Sequence, residues 1–194
     1  MLRTPYGRML VAAMLAAALL LAAGLILSRY QKEEAKKEKI MRGCTWVLFS
    51  MYLIFLFALL FVLGRGHQAP SPELYKLYLQ RNTNFIPFKS ITGYARIFWR
   101  QPYAMVNLVG NLFAFAPMGF FLPVLFKTMR GPLKFPLLVT LLVILVEALQ
   151  LVTLTGACDI DDVLLNTLGA VAVFMLVRAK PIQKSLAKLH ILQI

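Results

Sequence analysis

Residues 135–155 read FPLLVTLLVILVEALQLVTLT, and this stretch decides the class of fold. Glu147 is its one charged side chain, and a membrane-spanning helix needs about 20 mostly apolar residues. A further apolar stretch, residues 163–177, is short and spans a bilayer only if its helix extends to about Asp161 and Arg178. The sequence predicts an all-α integral membrane protein, a bundle of about five transmembrane helices with one long outward loop. The other four stretches are residues 9–27, 44–63, 104–126 and 163–177.

The composition supports a membrane protein and excludes two other classes. Of the 194 residues, 60% are hydrophobic and 15% are charged, whereas a soluble domain is about half apolar and about a quarter charged. A disordered basic chain would be rich in charge and poor in apolar residues. The 21 Lys and Arg residues outnumber the 8 Asp and Glu residues, but most of the chain lies in apolar runs. Nucleic acid is therefore not an expected partner.

Basic residues predict the orientation of the spans. Residues 28–43 contain six basic residues against three acidic ones, and such segments normally stay in the cytoplasm. This flank favours a retained first span over a cleaved signal peptide. Thirteen basic residues then lie inside and eight outside, so we expect an external N-terminus and a cytoplasmic C-terminus in the cell membrane.

The same topology divides the chain into three parts. Residues 1–63 form two spans joined by a basic cytoplasmic loop, residues 64–178 form an outward loop and three spans, and residues 179–194 form a basic cytoplasmic tail. Cys44 and Cys158 fall on opposite sides of the bilayer and should be free thiols. His67 and His190 are separated in the same way, so they cannot build a two-histidine metal site.

The outward loop, residues 64–103, is too long to be a simple connector. Residues 71–73 (SPE) are typical of a helix start, and apolar residues follow at one-face spacing. Residues 91–99 indicate a second amphipathic stretch, and we expect both stretches to lie in the membrane interface. Between them, residues 84–88 should be extended, because Pro87 disfavours the α region for the residue before it.

Four of the eight acidic residues fall within sixteen positions of one another: Glu147, Asp159, Asp161 and Asp162. An unpaired, ionised carboxylate at the depth of Glu147 costs about 2.5 kcal/mol or more, which favours a functional role for it. Three spans also carry a polar pair at helical spacing in the same half of the membrane. Because such residues avoid lipid, these stripes should line a polar pocket open to the outer surface. The pairs are Asn107 with Asn111, Glu147 with Gln150 and Asp162 with Asn166.

Simpler roles stay open for several of these residues. Asp159 or Asp161 can cap the fifth span, because the free N–H groups of a helix start favour a carboxylate. The three intramembrane asparagines, Asn107, Asn111 and Asn166, can join helices by hydrogen bonds that contribute about 0.6 kcal/mol each.

Small residues and one proline predict the packing of the spans. Pro117 lacks an N–H, so it should free the carbonyl of Phe113 and kink the third span. Small side chains should allow close helix approach in the third and fifth spans. These are Gly110 and Ala114 in the third span and Gly169 and Ala170 in the fifth.

Across residues 84–169 the chain resembles the VanZ-like family of small bacterial membrane proteins. Four motifs in order carry the resemblance, and two positions depart from it. Ala157-Cys158 stands where many relatives carry an arginine, and Val173 stands where many carry a second glycine. The missing arginine weakens any scheme in which that side chain neutralises the acids. The motifs are Asn84-x-x-Pro87-Phe88, Asn107-x-x-Gly110-Asn111-x-x-x-Phe115-x-Pro117-x-Gly119-Phe120, Glu147-x-x-Gln150 and Gly156-x-Cys158-Asp159-Ile160-Asp161-Asp162-x-x-x-Asn166-Thr167-x-Gly169.

The resemblance implies a role at the outer membrane face, since the family is linked to low-level resistance to lipid-tailed, teicoplanin-like glycopeptides in Gram-positive bacteria. No established biochemical activity comes with it. Our first hypothesis is a non-enzymatic protein whose pocket binds a membrane lipid, a lipid-linked cell-wall precursor or a lipopeptide tail. The expected binding residues are Asn84, Pro87, Phe88, Asn107, Asn111, Glu147, Gln150, Asp159, Asp161, Asp162 and Asn166.

Two other functions are consistent with the same residues. A membrane enzyme acting on a lipid phosphate or ester would use the four clustered acids, Glu147, Asp159, Asp161 and Asp162, for acid/base catalysis or to hold Mg²⁺ or Ca²⁺. No nucleophile is apparent for it, and no cofactor is expected otherwise. A proton-coupled transporter would use Glu147 as a relay, and the small size of the chain would then favour a homo-oligomer.

Overall fold

The computed structural model describes residues 5–62 and 71–192, and these are mostly helical. They form two compact units, one of the residues up to Ile54 with those from Arg178 onward, the other of Phe55–Val177. In chain order the elements are α1 (Pro5–Tyr30), α2 (Glu34–Phe57, continued by a π-helical turn at Ala58–Val62), α3 (Pro72–Arg81), β1 (Thr83–Asn84), α4 (Lys89–Ile97), α5 (Pro102–Ala114), α6 (Met118–Leu125), a 3₁₀ turn (Lys127–Arg130), α7 (Lys134–Val152), β2 (Cys158–Asp159), α8 (Ile160–Arg178) and α9 (Lys180–Lys188).

The predicted spans are present as long apolar helices. Four described segments are long and apolar enough to cross a membrane, and α1 contributes a shorter apolar stretch, Leu15–Tyr30. The fifth predicted span extends to Arg178, as its short apolar run required. The all-α membrane fold is therefore confirmed. The four long segments are Glu34–Val62, Pro102–Leu125, Lys134–Val152 and Ile160–Arg178.

The third predicted span is broken at Pro117, which separates α5 from α6. The break is confirmed, but its detail differs from the prediction. The amide of Ala116 donates to the carbonyl of Phe113 at 3.3 Å, so a tight turn uses the oxygen that the proline was expected to leave free. Helix α6 then restarts within a buried segment.

Close helix approach occurs at two glycines. A Cβ on Gly169 would lie 1.7 Å from the carbonyl oxygen of Leu112, so α8 and α5 meet backbone to backbone there. A Cβ on Gly119 would clash with the backbone of Ala170 and Phe174, so α6 also approaches α8 closely. The prediction for Gly110 was wrong, because no atom lies within 4 Å of a Cβ built there. Gly169 and Gly119 therefore let α8 pack closely against both α5 and α6.

Both predicted amphipathic helices, α3 and α4, are present in residues 71–103, the described part of the segment that the sequence predicts to be an outward loop. Ser71 caps α3 by accepting a hydrogen bond from the amide of Leu74 at 3.4 Å. The two short strands β1 and β2 pair in parallel, with Asn84 opposite Asp159. The extended prediction holds at Asn84 but was wrong beyond it, because residues 86–88 form a turn. Phe88 closes this turn in the left-handed region, with φ at 64°.

The first unit brings the basic segment 28–43 against the end of the chain. Glu34 accepts from the ammonium of Lys37 at 2.6 Å, and its other oxygen lies 3.4 Å from Nε2 of His190, just beyond α9. Cys44 and Cys158 are both free thiols, as expected. His67 lies outside the described residues.

Candidate functional site

The four clustered acids lie at the end of the second unit where α7 stops and α8 begins, and we call them the acidic cluster. Glu147 is on α7, Asp159 ends β2, and Asp161 and Asp162 occupy the first turn of α8. The two-residue ladder between β1 and β2 joins the outward loop to this end of the bundle. The amide of Cys158 extends the ladder by donating to the carbonyl of Asn82 at 2.8 Å.

Asp161 is a buried carboxylate that caps a helix other than its own. Its side chain is fully buried, and its two oxygens accept from the amides of Phe88 at 2.5 Å, Ser90 at 2.7 Å and Ile91 at 3.0 Å. These amides belong to the first turn of α4, where helix geometry leaves the N–H groups without internal partners. Phe88, at the capping position of α4, has no side-chain acceptor. Asp161 therefore supplies from a distant segment the cap that α4 lacks.

Asp159 holds both its own helix and the outward loop. Its Oδ1 accepts from the amide of Asp161 at 2.9 Å, so it caps α8, as one of the predicted alternatives had it. The same oxygen accepts from Nδ2 of Asn84 at 2.9 Å. Its Oδ2 accepts a short hydrogen bond from the hydroxyl of Ser90. One backbone amide and two side chains of the outward loop therefore hold Asp159 in place.

Glu147 and Asp162 have far fewer partners. Glu147 is 5% exposed, and its Oε2 accepts from the amide of Asp159 at 3.3 Å. Asp162 accepts a short hydrogen bond at Oδ1 from the side-chain amide of Asn111. Among the described residues, no donor reaches the second oxygen of either carboxylate. Burying a carboxylate with so few donors is costly, which sets these two groups apart from the other two acids.

The acidic cluster has no compensating cation among the described residues. No Lys, Arg or His in the described part of the chain forms an ion pair with any of its four acids. Within the same residues, no three His, Cys, Asp or Glu side chains are placed to hold one metal ion. The open oxygens of Glu147 and Asp162 can therefore accept hydrogen bonds from a cationic or neutral donor.

The three predicted polar stripes do not converge on one pocket. Asn107 is exposed, and its side chain donates to the carbonyl of Tyr103 on its own helix at 2.8 Å. Gln150 donates to the carbonyl of Leu60 at 3.0 Å, in the π-helical turn that follows α2. Asn111 is the one partner from the third span that reaches the acids. The structure therefore brings Asn111 to Asp162, whereas the hydrogen bonds of Asn107 and Gln150 go to backbone carbonyls away from the acids.

Asn166 lies one turn below Asp162 on α8. Its Nδ2 donates to the carbonyl of Asp162 at 2.8 Å, and the residue is 3% exposed. Its Oδ1 has no hydrogen-bond partner among the described residues. Asn166 thus braces the first turn of α8 and does not contact the carboxylates themselves.

The outward loop supplies two cluster neighbours that the sequence did not single out, Ser90 and Tyr94. They stand four positions apart on α4, so they share the face that turns toward the acids. Burial raises the pKa of the Tyr94 phenol, and the charges of Asp162 and Asp159 raise it further. The 3.6-residue periodicity of α4 is the available sequence signal, because it places Ser90 and Tyr94 on the same face of the helix.

A hydrogen bond from α3 and the thiol of Cys158 also lie at this end of the bundle. The hydroxyl of Tyr78 on α3 donates to the carbonyl of Gly156 at 2.5 Å. Burial raises the pKa of the Cys158 thiol, and the charges of Glu147 and Asp159 add to the effect. This cysteine is therefore a protonated, unreactive group beside the cluster at neutral pH.

Comparison with known proteins decides the family. Residues 46–181 match the VanZ/LLP1 family. The chain belongs to this family. The match begins within the second span, ahead of the motifs quoted from residues 84–169. No curated protein and no solved structure matches the chain.

The VanZ/LLP1 motifs coincide with the residues that join the outward loop to the spans. Asn84 and Asp159 form the loop-to-helix bond, Phe88 offers its amide to Asp161, and Asn111 binds Asp162. Gly119 and Gly169 provide the close approaches to α8 and α5. Pro87 lies in the turn before α4, where its fixed φ suits a tight reversal. In this chain the motif residues therefore assemble one unit, the outward loop held on the acidic end of the bundle.

Proposed function

We propose that this VanZ/LLP1 protein is a non-catalytic envelope protein that binds an amphiphilic molecule at the acidic cluster. The ligand carries an amine-bearing polar part and an acyl tail, as a lipopeptide does. The acidic end of the bundle faces the outer leaflet, and binding there lowers the effective concentration of a lipid-tailed glycopeptide at its target. The protein thereby contributes to tolerance of such antibiotics.

One observation carries the proposal: Glu147 and Asp162 each keep an open oxygen, and no cation of the described residues neutralises them. Carboxylates inside a membrane protein normally pair with a cation, with one another or with backbone donors. Asp159 and Asp161 each accept from three donors, whereas Glu147 and Asp162 each accept from one among the described residues. A ligand that brings its own ammonium group satisfies both.

The sign of the charge selects among the candidate ligands. The phosphates of a lipid or of a lipid-linked precursor are anionic, so four carboxylates at one end of the bundle repel them. A protonated amine is attracted by the same charges. The cluster therefore favours an amine-bearing lipopeptide over a phosphate-bearing lipid.

The loop beside the cluster provides apolar surface for a tail. The aromatic side chains of Phe85, Phe88, Trp99 and Tyr103 are mostly exposed, with Trp99 at 87%. Tyr103 packs edge-on against Tyr94, which adjoins the acids. Exposed aromatic residues at a membrane interface sit at the headgroup level, where they contact acyl chains and water together. A tail lying along this surface leaves the polar part of the ligand at the carboxylates.

The proposal is tested by protection of living cells. The full-length chain is expressed in a susceptible Gram-positive host, and growth is measured against a teicoplanin-like drug and against a glycopeptide without a lipid tail. Wild-type protein should protect against the tailed drug alone. The variant with Glu147→Gln and Asp162→Asn should lose most of that protection, because both changes remove charge and keep an acceptor oxygen.

A matched control separates site loss from expression loss. Glu73→Gln makes the same kind of change at an exposed carboxylate on α3, away from the cluster. It should protect as well as the wild type at equal membrane level. Equal protection by the wild type and the cluster variant, at equal protein level, would overturn the proposal.

An enzymatic function has one supporting observation. The hydroxyl of Ser90 donates to Asp159, which brings a potential nucleophile against a carboxylate. The hydrogen bonding of Asp159 opposes a role as general base, since its oxygens already accept from three donors. Incubating the purified protein with labelled undecaprenyl phosphates and Mg²⁺ or Ca²⁺ tests this function. Turnover that Ser90→Ala abolishes would replace the binding proposal.

A further inference from the structure

The first unit contains a basic cavity that the acidic site does not involve. It has a volume of about 200 Å³ and lies between the end of α1, the start of α2 and the end of α9. Four of its lining side chains are basic, and two are apolar. The lining residues are Leu25, Ser28, Arg29, Lys37, Lys188, Leu189 and His190.

The charge in this cavity is only partly compensated. Glu34 pairs with Lys37 and lies 3.4 Å from Nε2 of His190. Arg29 and Lys188 form no ion pair with any described residue. Two permanent positive charges therefore line the cavity without a partner, while Glu34 holds the other two basic side chains in place.

The hydrogen-bonding groups of the cavity are suited to an anion. Arg29, Lys37 and Lys188 can only donate, and a protonated His190 also only donates. The hydroxyl of Ser28 uses its proton on the carbonyl of Leu25 at 2.9 Å. A tetrahedral phosphate offers several acceptor oxygens to such a set, and guanidinium and ammonium groups are its usual partners.

The surroundings of the cavity match a lipid headgroup. Helix α9 is amphipathic, with Lys180, Lys184 and Lys188 at four-residue spacing, a pattern typical of helices that lie on an anionic membrane surface. Leu25 and Leu189 give the cavity an apolar wall. A phosphodiester in the cavity would therefore place its glycerol and acyl groups along leucine side chains.

We propose that the cavity between α1, α2 and α9 binds the phosphate group of an anionic phospholipid. Arg29 and Lys188 supply the charge, and Lys37 and His190, held by Glu34, supply further donors. The cavity and the acidic cluster share no residue and differ in charge, so a test of phospholipid binding in the cavity does not depend on ligand binding at the acidic cluster.

Native mass spectrometry of the full-length protein in detergent tests the proposal. Bound phosphatidylglycerol and phosphatidylcholine are counted for the wild type and for the variant with Arg29→Gln and Lys188→Gln. A cation near a lipid surface contributes about a fivefold factor in binding, so removing both should weaken phosphatidylglycerol binding about 25-fold. Phosphatidylcholine, whose headgroup carries a compensating cation, should bind weakly to both.

The matched control removes two positive charges from α9 outside the cavity lining. Lys180→Gln with Lys184→Gln leaves the cavity lining intact and should keep phosphatidylglycerol binding within about twofold of the wild type, whereas a general surface field would be weakened equally by either pair. Equal losses in the two double variants, or no preference of the wild type for phosphatidylglycerol, would overturn the proposal. The single variant Lys188→Gln repeats the test if the first double variant is poorly expressed.

Competition by inorganic phosphate distinguishes the source of the bound group. Failure of millimolar phosphate to displace phosphatidylglycerol supports a lipid headgroup as the natural ligand. Displacement supports the same phosphate-binding chemistry and assigns it to a free phosphate anion.

Discussion

Asp161 and Asp162 are neighbours in one helical turn, yet their surroundings differ sharply. Asp161 is fully buried and accepts three backbone amides from α4. Asp162 is half-buried and accepts from Asn111 alone among the described residues. Successive residues of a helix point about 100° apart, so one faces the outward loop and the other faces α5. The same chemical group thus serves the fold at one position and stays available at the next.

The division extends to the other two acids. Asp159 joins Asp161 in anchoring the loop, with Ser90 and Asn84 as its side-chain donors. Glu147 joins Asp162, with one amide at 3.3 Å. Four acids that look equivalent in the sequence therefore form an anchoring pair and an open pair. Substitutions that remove one member of either pair distinguish the two roles.

Asp161→Asn should cause the largest loss of stability. One oxygen of Asp161 accepts from the amides of Ser90 and Ile91, and the other accepts from the amide of Phe88. Because the asparagine replaces one of these oxygens with an NH₂ group, that group faces a donor and at least one hydrogen bond is lost. Hydrogen bonds to a charged acceptor contribute about 1.5–3 kcal/mol each, so the variant should lose about 3 kcal/mol or more. Thermal unfolding of the purified protein in detergent measures this. Asp162→Asn is the matched control, and an equal loss there would contradict the division.

Ser90→Ala should have an intermediate effect. It removes the hydroxyl that donates to Asp159 and leaves one carboxylate oxygen without that partner, at a cost of about 1.5 kcal/mol. Limited proteolysis between α3 and α4, together with thermal unfolding, reports the loosened loop. Thr92→Ala removes a hydroxyl from the same helix that donates only to nearby carbonyls. A larger loss from the Thr92 change would contradict the anchoring role.

Glu147→Gln should leave stability unchanged or raise it by about 1 kcal/mol. The glutamine keeps an acceptor for the amide of Asp159 and replaces a buried carboxyl group that lies near two other carboxylates with a neutral amide. The gain is the opposite of the Asp161 result, although both changes convert a buried acid to its amide. Thermal unfolding in the same detergent measures both variants. A loss of more than about 2 kcal/mol of unfolding free energy in Glu147→Gln would place Glu147 in the anchoring pair.

Tyr94 should give the smallest signal. Because burial and the nearby acids raise its phenol pKa, its neutral form is the native one. Its contribution to stability is complete below the unfolded pKa and is lost only as the pH rises through the folded pKa, so stability at pH 7 is unaffected. Ultraviolet titration, with Tyr94→Phe as the reference, follows this residue alone. Asp162→Asn should lower its pKa, and an unchanged titration would show that the two groups do not interact.

The sequence predicted the spans and the outward loop because their signals are local. Apolar runs of membrane length, the SPE helix start before α3 and the amphipathic stretch of α4 all depend on residues close together in the chain. The meeting of Glu147 with residues 159–162 was also predictable, since a short connection between antiparallel spans brings their ends together. These features are confirmed at Ser71, Glu147 and Asp159.

The roles of individual polar residues were not predictable in the same way. Helical spacing places Asn107 and Asn111 on one stripe, but it does not fix the rotation of α5, and only Asn111 meets α8. Asp161 caps a helix seventy residues earlier in the chain, and no local pattern carries that information. The side chain of Gln150 donates a hydrogen bond to a carbonyl in the π-helical turn at Ala58–Val62, and helical periodicity does not predict that turn.

Direct titration of a fluorescent, acyl-tailed, amine-bearing glycopeptide into the full-length protein in nanodiscs tests the central claim. The Glu147→Gln, Asp162→Asn variant should unfold at the wild-type temperature or above and bind the ligand at least about tenfold more weakly, since it loses two charge-assisted contacts. Ser90→Ala, less stable but still folded, should bind within about threefold of the wild type. Unchanged binding by the open-pair variant, with loss of binding confined to the anchoring residue, would contradict the account.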